Sequence, residues 1–451
     1  MMDPPLYTFG SFRLDSSRGL LYRGTKVIRL PDTLARLLLL LIRANGEIVD
    51  KDTIAAQLWP GRDISDNYVT QQIYMLRQLL GEQAKDRGYV VMVRGRGYRF
   101  VRSVSVLPPG GYETVDPPSA ENDDWLVRAP PEVLDRYYRG CILLEKQNAS
   151  ALKDAAEQFD AALLIDPDYV PALVGLARAN ALMAQYWYAP GSETFPKAKA
   201  AILHALEIDP SSAEARATLG QILLFCDWNW SEAEREIETA IGLSPKPTSV
   251  YMSAAWFYIC KGSAENAVHA LERALSIDPS SPVLRLCLAQ MFMYAGEIRR
   301  AIDWISNILE SFPDLWIARA HRAQAFILNS QPAEALQDLM LLPFDRAEDL
   351  ALRLPLLGRA YAGCGDVEHA ESIYQALLKT AQTEFVVGFN LATVAIGLGK
   401  AEEALEHLER ALEKREPALL MLRSLPWFAP VAQRARFKAV LNAIWPAQPV
   451  S

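Results

Sequence analysis

The sequence predicts a multidomain protein: a small α+β module at the N-terminus followed by a long all-α solenoid. Three observations predict it. Within the first hundred residues the apolar pattern passes from short alternating runs to a helical period and back. Residues 103–131, "SVSVLPPGGYETVDPPSAENDDWLVRAPP", then show no sustained period and are dense in Pro, Gly and acid, as a linker is. Beyond them one phrase recurs five times: "AAEQFDAALLIDP", "AKAAILHALEIDP", "AEREIETAIGLSP", "AVHALERALSIDP" and "AIDWISNILESFP". A chain of 451 residues, 51% of them hydrophobic, is also too long for one ordinary core.

In the head, "YTFGSFRLD", "GLLYRG" and "KVIRLP" are β-rich runs broken by turn signals, which read as an antiparallel meander. Pro31 then suits a first helical position. Leu34, Leu37, Leu38 and Leu41 recur at helical spacing, and Asn45-Gly46 ends that helix. Asp50 or Asp52 caps a second short helix that runs through Leu58 and is stopped by Pro60. A third helix runs from about Ser65 to Leu80, and "VVMVRGRGYRFV" reads as a hairpin after it. Two helices, a short connection and a hairpin amount to a winged helix-turn-helix over residues 1–104. On the third helix Val69, Ile73, Leu76 and Leu80 share the core-facing arc. The opposite face carries Asn67, Tyr68, Gln71 and Met75, flanked by Thr70, Tyr74 and Arg77. Amides there can read adenine in the major groove, Met75 or Tyr74 can meet a thymine methyl, and Arg77 is expected to hold a phosphate. On the hairpin, alternation turns Tyr98 and Phe100 inward and Arg99 outward. Its glycines are expected to allow a tight tip and a close approach of backbone to the sugar-phosphate chain.

Helix, spacing and hairpin together resemble the effector domain of OmpR/PhoB-type transcription factors. "ISDNYVTQQIYMLRQLLG" matches the family's recognition helix with its Leu76-Arg77 pair. Arg94, Gly95, Gly97, Tyr98 and Phe100 match its R-G-x-G-Y-x-F wing. The resemblance implies double-stranded DNA as partner, with Arg94 entering the minor groove and Arg96 as a further basic tip residue. It also implies that the loop between the second and third helices, here Trp59, Arg62 and Asp63 in "WPGRDI", touches RNA polymerase. Charge agrees with a nucleic-acid head: the net charge is −8 overall, yet residues 1–105 carry +6 and the remainder −14.

The repeated phrases begin on Ala155, Ala198, Ala233, Ala267 and Ala301, continued by Ala335, Ala370 and Ala404, at intervals of 34 or 35 after a first interval of 43. Small residues recur twelve positions earlier, at Ala255, Ala289, Ala323, Gly358 and Ala392, where two helices must approach closely. The pattern resembles the tetratricopeptide repeat, about eight copies over residues 132–417, with residues 418–451 as a helical cap and residues 105–131 as the linker. The segment "YWYAPGSETFP" absorbs the nine extra residues as an extended helix or loop. In that family the concave face of the first helices binds partners. Carried over, the positions are Met252, Trp256, Gln290, Met293, Gln324, Arg359, Phe389 and Thr393. The partner is a protein, or a second copy of the chain through self-association.

Five cysteines, odd in number, far apart and never in C-x-x-C spacing, support neither a disulfide framework nor a zinc site, and fit a reducing compartment. The histidines fall at unrelated repeat positions, so no metal, cofactor or catalytic constellation is expected, and no enzyme. The longest apolar run, Leu37 to Ile42, is far short of the ~18 residues of a membrane span, and no export signal is visible. The arrangement resembles HilA-type regulators and lacks the transmembrane helix of CadC-like ones. The leading reading is a cytoplasmic, nucleoid-associated bacterial transcriptional regulator. Two others stand beside it: a repeat-based scaffold or adaptor tethered to DNA, and a small-molecule sensor with "YWYAPGSETFP" forming a pocket against the second repeat.

Overall fold

The computed structural model describes residues 6–16, 20–23, 26–30, 32–60, 69–70, 72–73, 76–77, 80, 88–93, 96–107, 129–243, 247–279, 281–342 and 349–445. The expected meander is present: β1 (Leu6–Phe9), β2 (Phe12–Asp15), β3 (Leu20–Arg23) and β4 (Lys26–Arg29) each pair antiparallel with the next. After them come α1 (Asp32–Arg43), α2 (Lys51–Leu58) and the hairpin of β5 (Val90–Val93) and β6 (Gly97–Phe100), in register from Val90↔Phe100 to Val93↔Gly97. One boundary differs. Residues assigned to the linker form β7 (Ser105–Leu107), which pairs with β1 and completes the order β4-β3-β2-β1-β7. Three residues are too few to show a period, but the free edge of β1 offers them backbone partners.

The head's core is one cluster in which Leu14, Leu21, Leu37, Leu38 and Leu41 are fully buried. Phe9 stands edge-on to Phe100 and Tyr89, with Phe12 beside them. Asn45 and Gly46 both take positive φ after α1, as a helix C-cap requires. Asp50, not Asp52, caps α2: its Oδ1 accepts from the Thr53 N–H at 2.7 Å and its Oδ2 from the Thr53 hydroxyl at 2.8 Å. These bonds favour the ionised carboxylate and hold its pKa below the ordinary value.

Among the described residues the body is eight helix pairs. They are α3 (Pro131–Leu144) with α4 (Ala149–Leu163), α5 (Val170–Gln185) with α6 (Gly191–Ile208), α7 (Ala213–Ile222) with α8 (Trp230–Gly242), and α9 (Thr248–Lys261) with α10 (Ala264–Ile277). Then follow α11 (Pro282–Tyr294) with α12 (Ile298–Ser311), α13 (Trp316–Leu328) with α14 (Pro332–Met340), α15 (Leu354–Gly363) with α16 (Val367–Thr380), and α17 (Gly388–Gly397) with α18 (Ala401–Glu413). All eight alanines of the repeated phrase are fully buried. The twelve-earlier position shows why it is small: a Cβ on Gly358 would stand 2.9 Å from Val394 Cγ1. The extra residues after α5 form a turn and a longer helix, α6, that accommodates Pro196. By its packing the chain divides into two units, Met1–Ile142 with Gln158–Ala172, and Leu143–Glu157 with Leu173–Ser451.

The tail contains two 3₁₀ turns, Pro417–Met421 and Pro426–Val431, and α19 (Ala435–Ile444). It covers α18, where the Arg436 guanidinium forks onto Glu409 at 2.6 and 2.7 Å. It also reaches far back along the array. Trp445 Nε1 donates to the Cys260 carbonyl at 3.0 Å, and Trp230 Nε1 donates to the Ile444 carbonyl at 2.8 Å.

Candidate nucleic-acid interface and the concave face of the repeats

In the third helix residues 69–70, 72–73 and 76–77 are helical, and Val69, Ile73, Leu76 and Leu80 are buried as their spacing requires. Of the expected DNA-facing side chains, Thr70 is exposed. Asn67, Tyr68, Gln71, Tyr74 and Met75 lie outside the described residues. Arg77, expected to hold a phosphate, is tied within the protein. Its Nε and Nη2 donate to the Val90 carbonyl at 3.1 and 2.9 Å, so a half-buried guanidinium ties this helix to β5. A second tie runs from the Tyr98 hydroxyl to Thr70 Oγ1 at 3.2 Å. These bonds join the helix to both strands of the hairpin.

On the hairpin, Arg96 is exposed and its N–H donates to the Val93 carbonyl at 3.0 Å, closing the tip. Arg94 lies outside the described residues. Arg99 is exposed, and Tyr98 and Phe100 are buried, as alternation demands. Gly97 has the positive φ expected of a tight tip, and a second role besides. It has φ +128°, and its missing side chain admits the protein's own backbone: a Cβ there would overlap the Val49 carbonyl oxygen and stand 2.6 Å from Asp50 Cα. Val49 and Tyr98 exchange two 2.8 Å backbone hydrogen bonds at that spot, so the glycine seats the wing on the segment before α2. Trp59 also departs from expectation. It is buried in the core, closing the end of α2, and is not an exposed polymerase contact. Arg62 and Asp63 lie outside the described residues.

The concave-face residues divide. Trp256, Gln290 and Gln324 come together around one cavity. Met293 is fully buried, and Thr393 is buried with its hydroxyl donating to the Phe389 carbonyl at 2.8 Å. Phe389 is packed between Trp187 and Phe428. Arg359 lies 5.7 Å from the centre of the Trp427 ring, where burial lowers its pKa. Met252 is half-buried on α9 and does not line the cavity. The tail accounts for part of the division, because its Trp427 and Phe428 pack on Arg359 of α15 and Phe389 of α17. The cavity also draws in residues the sequence did not single out as site residues, among them Gln185, Phe225, Tyr294 and His321. Tyr186 and Trp187 were signalled by the over-long first interval. The others were not, because they come from different repeats and positions. Among the described residues no group of His, Cys, Asp and Glu is placed to hold a metal.

Comparison with known proteins accords with this geometry. Residues 24–100 match the family described as "Transcriptional regulatory protein, C terminal", and residues 248–281 match a tetratricopeptide repeat family. The transcriptional regulator HilA of Salmonella typhimurium is 36% identical over 103 residues, which are 23% of this chain and 18% of HilA. A cholera toxin homolog transcriptional activator of Vibrio parahaemolyticus is 29% identical over 107 residues, 22% of this chain and 37% of that protein. The solved DNA-binding domain of E. coli CadC is 25% identical, covering 23% of this chain and 97% of that domain, with a TM-score of 0.21. The match thus spans about a fifth of the length of HilA and over a third of the Vibrio activator. The N-terminal module is an OmpR/PhoB-type winged-helix domain, and the body that follows is a tetratricopeptide solenoid.

Proposed function

We propose that this chain regulates transcription by binding specific double-stranded DNA through its third helix and wing, with the repeat body as the regulatory part. The observation that carries the reading is the double tie of Arg77 to Val90 and Tyr98 to Thr70, which holds helix and wing in fixed relation and leaves Thr70, Arg96 and Arg99 exposed. Fixed geometry matters because base reading requires side chains already aligned with the groove, whereas charge alone gives affinity without register. The amide-bearing Asn67 and Gln71 carry base information, and Arg94 with Arg96 supply phosphate or minor-groove charge. Arg62 and Asp63 contact RNA polymerase, and the protein works in the cytoplasm, on the nucleoid. No helix among the described residues is long and apolar enough to cross a membrane.

Selecting DNA from a random pool with the full chain tests this reading. A defined motif is the expected outcome, and recovery of no preferred sequence would leave the scaffold reading in its place. With the motif in hand, Gln71→Ala should relax sequence preference. Arg94→Ala should weaken binding to all sequences and flatten its salt dependence. Substituting Arg62 and Asp63 should lower transcription while leaving operator affinity intact.

A further inference from the structure

The cavity in the repeat body has the make-up of a small-molecule site. Its walls are aromatic: Tyr186, Trp187, Phe225, Trp256 and Tyr294. Its polar groups are Gln185, Gln290, His321 and Gln324, and no Asp, Glu, Lys or Arg lines it. Pro417, Ala418 and Met421 of the tail complete it. Irregular backbone converges here. Trp187 sits at φ +64°, and the two π-helical turns, Leu223–Asp227 and Asp349–Arg353, supply Phe225 and Leu352 to the lining. Such turns cost stability and in proteins often accompany functional sites, because they re-aim side chains that a regular helix would direct elsewhere.

Hydrogen bonding among the polar groups runs in one direction. Gln290 Nε2 donates to His321 Nε2 at 2.7 Å, which leaves the proton on Nδ1, facing Gln324 Oε1 at 3.4 Å. Gln324 in turn hydrogen-bonds the Tyr294 oxygen. Burial lowers the His321 pKa to about 4, so the imidazole is neutral at physiological pH. On the far wall Gln221 donates to Gln185 Oε1 at 2.6 Å, which leaves the Gln185 amide N–H groups as donors. The cavity therefore offers donors from Gln185 and the Tyr294 hydroxyl and an acceptor from Gln290 Oε1, all uncharged. A charged ligand would lose its hydration here without gaining a counter-ion.

From this arrangement we propose that the cavity binds an uncharged, planar, single-ring molecule whose edge carries an amide-type donor and acceptor pair. The ring lies among the aromatic walls, its carbonyl accepts from Gln185 or Tyr294, and its N–H donates to Gln290. Size limits the ring count. About 50 Å³ is open to water-sized molecules, against roughly 150 Å³ for an engineered cavity that takes benzene. The cavity is partly open, so a single ring enters only in part, with the remainder lying in the mouth. The site is independent of the DNA-binding reading, and its test involves no DNA.

The full chain is titrated with benzamide and nicotinamide, and with their anionic counterparts benzoate and nicotinate, by calorimetry or ligand-observed NMR. Saturable binding of at least one amide, with its acid at least tenfold weaker, is expected. Gln290→Leu, which removes the acceptor at similar volume, should weaken the amide at least tenfold. Leu352→Phe, which fills the cavity from its rim, should abolish binding, with thermal melts confirming that both variants fold. Failure of both amides to bind, equal binding of acid and amide, or unchanged affinity in a folded Gln290→Leu or Leu352→Phe protein would overturn the proposal.

Discussion

The winged-helix head and the repeat body place their informative side chains on opposite sides of the solvent boundary. In the head, polar residues that the sequence assigned to recognition, Thr70 and Arg96, are exposed on elements anchored by a single apolar core. In the body, residues assigned to recognition by repeat position are mostly interior: Met293, Phe389 and Thr393 are buried, and Arg359 packs against Trp427. The difference teaches that repeat register locates a concave face but does not say whether that face is open. A winged helix presents one face outward by construction. A solenoid can be covered by its own terminus, and here the tail does so.

The sharpest break of this contrast is at the wing. Because Gly97 admits the backbone of Val49 and Asp50 and holds φ +128°, Gly97→Ala should destabilise the head by about 4 kcal/mol and abolish DNA binding. Thermal unfolding of the variant checks this, and a loss under about 1 kcal/mol would mean that the wing tolerates another seat.

Next in size is the tail. Trp445→Ala removes a hydrogen bond to Cys260 and a ring contact to Trp230, and should cost about 3 kcal/mol of body stability in denaturant titration. It should also raise the susceptibility of the tail to proteolysis. If the body unfolds unchanged, the tail is a passive ornament of the solenoid, and the contrast drawn above loses its cause.

A pH dependence sharpens the comparison further. Burial depresses the folded-state pKa of His321 to about 4 from an ordinary value of 6.5. The unfolded chain therefore takes up the proton first as pH falls. The stabilisation from the neutral imidazole is complete above pH 6.5 and declines as pH drops toward 4, by at most roughly 3 kcal/mol. Carboxylate pairs also titrate below about pH 5. The diagnostic window is therefore pH 7 to 5, where His321→Gln should show a flatter urea-unfolding stability than the parent. The smallest effect is at the wing tip: Arg96→Ala should weaken DNA binding by about 1 kcal/mol and lower the salt slope by about one, with no change in melting temperature.

Much of the head was legible in the sequence, because its signals are local. Alternation placed Tyr98 and Phe100 inside, helical spacing placed Val69, Ile73, Leu76 and Leu80 inside, and Asn45-Gly46 ended α1. Long-range partners were not legible. Nothing in the neighbourhood of Arg77 announces the Val90 carbonyl thirteen residues on, and a three-residue strand, β7, is too short to signal its pairing with β1. Trp59 looked like a loop residue beside Pro60, yet a large indole gains more from the core than from solvent.

The sequence by itself determined the two-module order, the 34-residue period and the burial of every alanine that carries it, since these depend on periodicity and on the close packing of adjacent helices. Only the tertiary structure decided which of those surfaces stay open. Trp187, Phe225 and Trp256, which come from different repeats, meet Pro417, Ala418 and Met421 of the tail around one cavity. No local pattern encodes that meeting. It arises because contacts between residues some two hundred positions apart depend on the sum of many small inter-repeat rotations, and a sequence read locally records each step but not their total.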